Sequence, residues 1–418
     1  MLRIRLLEFV EDVRGSYWFV PSILALLGFA LGLALVYLDA LIGDAWLGRF
    51  EWFYGSRPEG ARALLSTVAG STITVAGVVF SVTLAAVTYA SGQHGPRLLS
   101  NFVRDRGNQV TLGVFIGTFL YCLVVLRTIR SAAETSADTA GAVREAFVPH
   151  IAMLGALALA VASIGVLIYF VHHVTDSIHI NNVIARIGGG LLARIEETRG
   201  GKRTVAGLGS VPPPTGTPVP APRTGYIEVL DEDALRELAT RHGAVVTVLA
   251  RPGDFVHRGR PVLLVEPRDC RGMEEAGDLF SIGRQRTALA DLRFPIDELV
   301  EIAARALSPG VNDPFTATAC IDWLGAALIE LAHMPQEAAL LRDESGRVRV
   351  TVPRLGYADY LQSAITRLCP YAASDAIAGP HLLAMLDTVA TALEDQELRQ
   401  LLEAERKRVA ETLEKEQD

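Results

Sequence analysis

Three groups of residues have types and spacings that chemistry could use. His172, Asp176 and His179 lie four and three apart, so one helical face would carry two imidazoles and a carboxylate, a spacing that can hold a metal ion. Polar residues where a helix leaves a membrane also serve simply as solvated or snorkelling groups, and His173 reads the same way. Arg284, Arg286 and Arg305 with Asn312 and Asp313 could frame a polar pocket at the sharp break Leu307-Ser-Pro-Gly-Val-Asn-Asp-Pro-Phe-Thr316. The plainer account is a capped turn tied down by arginine. Asp313 is then the N-cap, Pro314 fits the first helical turn, and Gly310 is the residue expected at positive φ.

The third group is a stripe. At about 100° per residue, Ser66, Gly70, Thr74, Gly77, Ser81, Ala85 and Thr88 share one side of an apolar helix, with Val68, Val75, Val79 and Val82 opposite. Small residues let membrane helices approach closely, and Gly28-xxx-Gly32 and Gly113-xxx-Gly117 have the same spacing. The sharper reading makes the stripe the wall of a polar path enclosed by several subunits, since hydroxyls and small residues face water without a buried charge.

Enzymatic chemistry has little to stand on. The chain has no Walker loop, no HExxH, no G-x-S-x-G, and its four cysteines (Cys122, Cys270, Cys320, Cys369) make no CxxC pair. Such scattered thiols suit a reducing compartment. A net charge of -8 gives no hint of nucleic-acid binding. No cofactor is implied, and the expectation is a protein that is not an enzyme.

The elements that position these groups are mostly transmembrane. Half of the 418 residues are hydrophobic and the mean hydropathy is +0.30. The excess falls in four uncharged runs, Tyr17–Leu38, Ala63–Ala90, Val110–Leu126 and Ile151–Val171. Each suits a span of roughly 20 residues, giving helices at about 17–38, 63–90, 110–130 and 150–172 in a membrane domain covering 17–175. Tyr17–Leu38 is too long for a signal h-region and is expected to remain as a span. The second run would reach roughly 40 Å, so it must tilt or project beyond the bilayer.

Arginines precede the first span (residues 1–16), occupy the second loop and follow the fourth span. Asp39, Asp44, Glu51 and Glu59, then Glu134, Asp138 and Glu145, mark the other two loops. The positive-inside rule then puts both termini in the cytoplasm. Arg97–Arg106 could lie on the membrane surface as a short amphipathic helix. Spans without ionisable residues argue against a proton relay or voltage sensor.

Beyond the membrane domain, 176–199 reads as a juxtamembrane helix continuing the fourth span, and 200–223, rich in Pro and Gly, as an extended linker. Residues 224–267 make a small β module, with strands at 225–230, 245–249 and 261–265 and a helix capped by Asp231. The phrase Pro252-Gly-Asp-Phe-Val-His-Arg-Gly-Arg-Pro261 resembles barrel-sandwich modules related to lipoyl domains, but no hairpin Lys is present for an attached lipoyl or biotin. Residues 268–418 are mainly helical, with one more strand at 348–352. The expected fold class is an α-helical four-span membrane domain plus a cytoplasmic mixed α+β domain.

Arg284-Gln-Arg-Thr287, Arg293-Phe-Pro-Ile296 and Ala304-Arg-Ala-Leu-Ser-Pro-Gly-Val-Asn-Asp-Pro-Phe-Thr-Ala317 together resemble a bacterial family of predicted membrane proteins, domain of unknown function 2254. The Ser91–Gln109 loop and His172-His173 fit the same pattern. The resemblance implies a four-span inner-membrane protein with a cytoplasmic-side domain and carries over no functional residue. Two functions are expected to compete. One is a homo-oligomeric pore or channel-like protein with a cytoplasmic regulatory domain; the other is a membrane-anchored sensor or scaffold whose domain binds a ligand or partner. In both, the lipid bilayer is the first partner.

Overall fold

A computed structural model describes residues 16–42, 58–94, 105–130, 147–200, 208–209, 215–268 and 272–417. The N-terminal segment 1–15, the loops 43–57 and 131–146, Cys270 and most of the expected surface helix at 97–106 lie outside these residues. The chain divides into two units, one ending at His179 and the other beginning at Ile180.

The first unit is built from α1 (Phe19–Ile42), α2 (Pro58–His94), α3 (Arg106–Thr128) and α4 (His150–Ile178). In hydrocarbon every backbone polar group must be bonded within its own segment, which the helix achieves. Helix α3 is the hub and packs on the other three. Its contact with α1 runs through glycines. A Cβ on Gly28 would lie 2.3 Å from the Gly117 carbonyl oxygen, and one on Gly117 would lie 2.7 Å from that of Leu24. The two small-xxx-small motifs thus face each other and let the backbones touch.

Several polar side chains inside the unit bond to one another or to backbone carbonyls. Thr118 and Ser163 hydroxyls lie 3.3 Å apart, and Tyr121 donates to the Ala152 carbonyl at 2.7 Å. Outward positions such as Leu26, Val161, Ile164 and Ile168 are large, apolar and exposed. That surface suits lipid and would be a liability in water.

Asp39 departs from its expected place in an acidic loop. It sits in the last turn of α1, buried, and accepts the N–H groups of Ile151 and Ala152, each at 2.9 Å. It therefore caps the next-but-two helix, where Pro149 offers no side-chain cap of its own.

The second unit starts with α5 (Ile180–Gly200). The expected uninterrupted helix from the fourth span breaks at His179, whose ψ of 120° is extended. Val183, Ile184, Ile187, Leu191 and Ile195 then bury one face of α5, a spacing of three and four that marks an amphipathic helix. This face packs on α7 (Arg293–Ala306) and α8 (Pro314–Ala332).

The β part is larger than expected. Strands β1 (Leu208–Gly209), β2 (Thr217–Pro220), β3 (Gly225–Leu230), β4 (Val245–Val248), β5 (Phe255–Val256), β6 (Pro261–Glu266), β7 (Phe280–Gly283), β8 (Ala338–Arg342) and β9 (Val348–Val352) form two sheets. One has the order β1-β8-β9-β4-β6-β2, the other β5-β3-β7. Among the described residues only β4–β9 is a parallel pair, with Val246 opposite Val350. The sheets therefore take strands from both sides of the expected boundary at 267/268.

The Pro-rich segment is corrected in the same way. Residues 217–220 are not a linker; they pair with β6 as an edge strand, where a Pro without an N–H is tolerated. Val219 and Ala221 enter the core with Ile227, Leu235, Val246 and Leu263. The remaining helices are α6 (Glu232–Arg241), α9 (Tyr357–Leu361), α10 (Cys369–Ala372), α11 (Ala378–Ala392) and α12 (Gln396–Gln417). Asp231 caps α6 as expected, accepting the N–H of Ala234 at 3.0 Å.

Five of the described helices are long and apolar enough to cross a membrane: α1, α2 over Pro58–Tyr89, α3, α4 and α8. The expected count was four. The fifth, α8, meets the same measure of length and composition but belongs to the second unit.

Candidate functional site

A network of paired charges in the second unit is built around Asp291, just ahead of α7 and 2% exposed. Its Oδ1 accepts from the backbone N–H and Nε of Arg293, at 3.0 and 3.1 Å, and its Oδ2 accepts from Nε and the guanidinium of Arg286, at 3.1 and 2.5 Å. Arg286 continues to Asp297, which also accepts from Arg367 at 2.6 Å. Arg293 continues to Asp254 at 3.1 Å and to the Pro252 carbonyl at 2.9 Å. Arginine and aspartate thus alternate through six residues. Burial alone would depress the Arg286 and Arg293 guanidinium pKa values, but their aspartate partners outweigh it and the values are raised.

The turn Pro252-Gly-Asp254 is locked onto this network. Gly253 has φ +87°, and a Cβ there would lie 1.9 Å from Asp291 Oδ2. Both the left-handed backbone and the close approach require glycine.

Beside the network is a cavity of about 240 Å³. Its walls are mixed, with Val229, Leu289, Leu292, Met334, Val352 and Leu355 on the apolar side. Arg194, Arg251 and Arg354 line it together with Glu197 and Glu232. Arg194, on α5, donates to the Ala288 carbonyl, and Arg251 donates to the Arg354 carbonyl at 3.3 Å. Arg251 also lies 3.7 Å from Asp359. Tyr360, buried at the same wall, has its hydroxyl pKa pushed up to about 12 by burial first and then by the Asp291 charge, so it stays a neutral donor.

The five residues expected to share a pocket are placed differently. Arg286 joins the Asp291 network, while Arg284 is exposed. Asp313 turns back to Thr316, accepting its N–H at 3.1 Å and its hydroxyl at 2.6 Å, and Pro314 takes the first turn of α8. The left-handed residue of this loop is Asn312, φ +51°, not Gly310, and Asn312 is exposed. Asparagine tolerates that conformation better than most residues. Arg305 is half-buried near the end of α7. Asp291, the centre of the network, carries no periodic signal in the sequence, being a single Asp between two arginines. The arginine phrases around it, 284–287 and 293–296, were the available hint.

His172 and Asp176 are exposed near the end of α4, and His179 lies past its last turn, so the helical spacing does not extend to it. Among the described residues no three His, Cys, Asp or Glu side chains are grouped to hold a metal ion. His173 instead bonds across to Asp105, Nε2 to Oδ1 at 2.6 Å, and stacks on Tyr169. Asp105 also caps α3.

The span-two stripe lies on the outside of its unit. Ser66, Gly70, Thr74, Gly77, Ser81, Ala85 and Thr88 are all exposed, and beyond Gly70 and Gly77 lies open space. The hydroxyls of Thr74, Ser81 and Thr88 bond to carbonyls four residues back, at 2.8, 2.9 and 2.8 Å. The buried face is a different one: Ala61, Leu65, Ala69, Thr72, Ala76, Val79, Thr83 and Val87. Of the valines expected opposite the stripe, Val79 is buried, Val68 and Val75 are half-buried and Val82 is exposed.

The sequence model of a family described as predicted membrane protein (DUF2254) matches residues 14–388. Two curated mycobacterial relatives are each 31% identical over 392 residues, 91% of this chain and 73% of theirs. They are the uncharacterized protein Mb1321c of Mycobacterium bovis and the uncharacterized protein Rv1290c of Mycobacterium tuberculosis. No solved structure matches.

Proposed function

Because this chain belongs to the family of predicted membrane proteins described as DUF2254, we propose that it is a homo-oligomeric, pore-forming or channel-like protein of the bacterial plasma membrane. Four helices, α1 to α4, cross the bilayer, and both termini and the second unit are cytoplasmic. Helix α8 does not cross. It carries Asp322 and Glu330, and α5, α7 and α11 pack around it. The second unit regulates rather than catalyses.

One observation supports the oligomer. The stripe on α2 is exposed and made of Gly, Ser, Thr and Ala, whereas the outward positions of α4 include Val161, Ile164 and Ile168. Lipid gains nothing special from small residues, but a second helix does, because its backbone can come close. The hydroxyls, already bonded once to their own helix, keep lone pairs that water or a partner can use. Copies of the chain meeting around α2 would enclose a weakly selective path.

The test is ion flux from proteoliposomes carrying wild type, Thr74→Trp or Ser81→Trp. Flux in wild type that either tryptophan blocks is the expected result. Wild-type flux no greater than that of empty liposomes, with protein folded and inserted, would overturn the pore. The cavity in the second unit favours a second reading, a membrane-anchored sensor, and that reading would take over.

A further inference from the structure

We propose that the cavity of the second unit binds a small organic anion, one carboxylate or phosphate head on an apolar body of one or two rings. Its volume of about 240 Å³ exceeds the roughly 150 Å³ in which an apolar cavity holds benzene. Ligand sites usually set a few polar groups on apolar walls; here the polar share is larger, and five charged side chains line the space. The groups here choose the sign. Arg194, Arg251 and Arg354 reach the cavity from three separate segments, beside Glu197 and Glu232; Arg354 and Glu232 have partners of their own, so Arg194 and Arg251 set the sign.

How those arginines are held matters as much as their number. In the adjoining network each buried aspartate faces two arginines, and the charge is consumed internally. At the cavity, Arg194 and Arg251 are oriented by backbone carbonyls, which fix a guanidinium without neutralising it. Asp359, the carboxylate facing the Arg251 guanidinium, lies 3.7 Å off with 44% of its side chain exposed, so that pairing is screened; Asp254 accepts from the Arg251 backbone N–H. A planar guanidinium with donors to spare matches a carboxylate or phosphate edge. Tyr360 lines the same cavity, and Leu289, 51% exposed, offers apolar surface there.

This assignment does not depend on whether α2 lines a pore, because binding is read without flux. Full-length protein in phosphatidylcholine nanodiscs is titrated with 1-naphthyl phosphate, 1-naphthoate, neutral 1-naphthamide and inorganic phosphate. Empty nanodiscs correct for partitioning. At least one naphthyl anion should bind about tenfold or more tighter than the amide. Which one it is separates a phosphate from a carboxylate ligand. Arg251→Gln should lose about tenfold in affinity, with Arg251→Lys between the two. Leu289→Trp, at an exposed position outside the Asp291 network, fills the cavity and should abolish binding without unfolding the chain. Equal binding of the amide, no binding of either naphthyl anion, or undiminished affinity in folded Leu289→Trp would each overturn the proposal. Binding of inorganic phosphate as tight as that of the naphthyl anions would overturn the apolar half of it.

Discussion

His173 Nε2 lies 2.6 Å from Asp105 Oδ1, the same oxygen that accepts the N–H groups of Gly107 and Asn108 where α3 begins. One carboxylate oxygen therefore caps α3 and ties it to α4. A Cβ on Gly107 would fall 2.4 Å from His173 Nε2, so the imidazole fits only over glycine. Asp105→Ala should destabilise the protein more than His173→Ala, because it removes both the cap, worth about 1 kcal/mol, and the cross-link. Gly107→Ala should resemble His173→Ala. Thermal unfolding of the three variants in mild detergent gives the order, and a His173→Ala loss exceeding that of Asp105→Ala would contradict it.

Gly117 and Gly28 set the distance between α1 and α3. Gly117→Leu must push the backbones apart or strain both helices, at a cost of roughly 1–3 kcal/mol. Gly70→Leu, on the open side of α2, should cost the isolated subunit almost nothing but disrupt assembly if copies meet there. Melting temperature and detergent-solubilised mass, measured on both variants, separate the two effects.

Asp39 satisfies two N–H groups at the start of α4. In Asp39→Ala those donors lose their partner, and stability should fall by about 1–2 kcal/mol. Asp39→Asn keeps one acceptor and should recover part of the loss. Equilibrium unfolding in mixed micelles would show it; an unchanged midpoint in the alanine variant would mean that water replaces the carboxylate.

Asp343 closes the β8–β9 turn by accepting from Ser345 N–H and hydroxyl, Arg347 N–H and Arg349 Nε. The Ser345 hydrogen bond foremost, with Arg349, holds its carboxyl well below the usual carboxylate range. A group depressed in the folded state adds stability above its unfolded pKa, near about 4, and loses it only as pH falls through the folded value. Asp343→Asn should therefore melt below wild type at neutral pH, with the gap closing only in strong acid. A gap that instead closes on raising the pH from neutral would reverse the sign of this assignment.

Asp291→Asn tests the network directly. It leaves Arg286 and Arg293 facing a neutral group at a site 2% exposed, and removing one partner of a buried pair costs about 3–5 kcal/mol. The second unit should lose cooperative unfolding or fail to accumulate. Wild-type stability in this variant would show that the two arginines find other acceptors.

Local pattern alone determined the elements whose signal is local. Uncharged apolar runs marked α1 to α4 because a bilayer demands length and apolarity from each segment separately. Asp231 and Asp313 were legible as caps because a cap bonds within three residues of itself. The span-two stripe followed from periodicity, though its outward direction did not, since a helix does not say which of its faces meets a neighbour. Tertiary structure decided everything that depends on pairing across distance. Residues 217–220 read as linker until β6 supplied their hydrogen bonds, and β8, rich in Ala and Leu, became a strand beside β9 and β1. Asp39 looked like a loop acid until it met α4, more than a hundred residues away. The cavity gathers Arg194 from an amphipathic helix, Arg251 from the segment after β4 and Arg354 from the segment after β9. Each looks like an ordinary surface arginine in the sequence, and only the packing of helices against two sheets turns their charges toward one space.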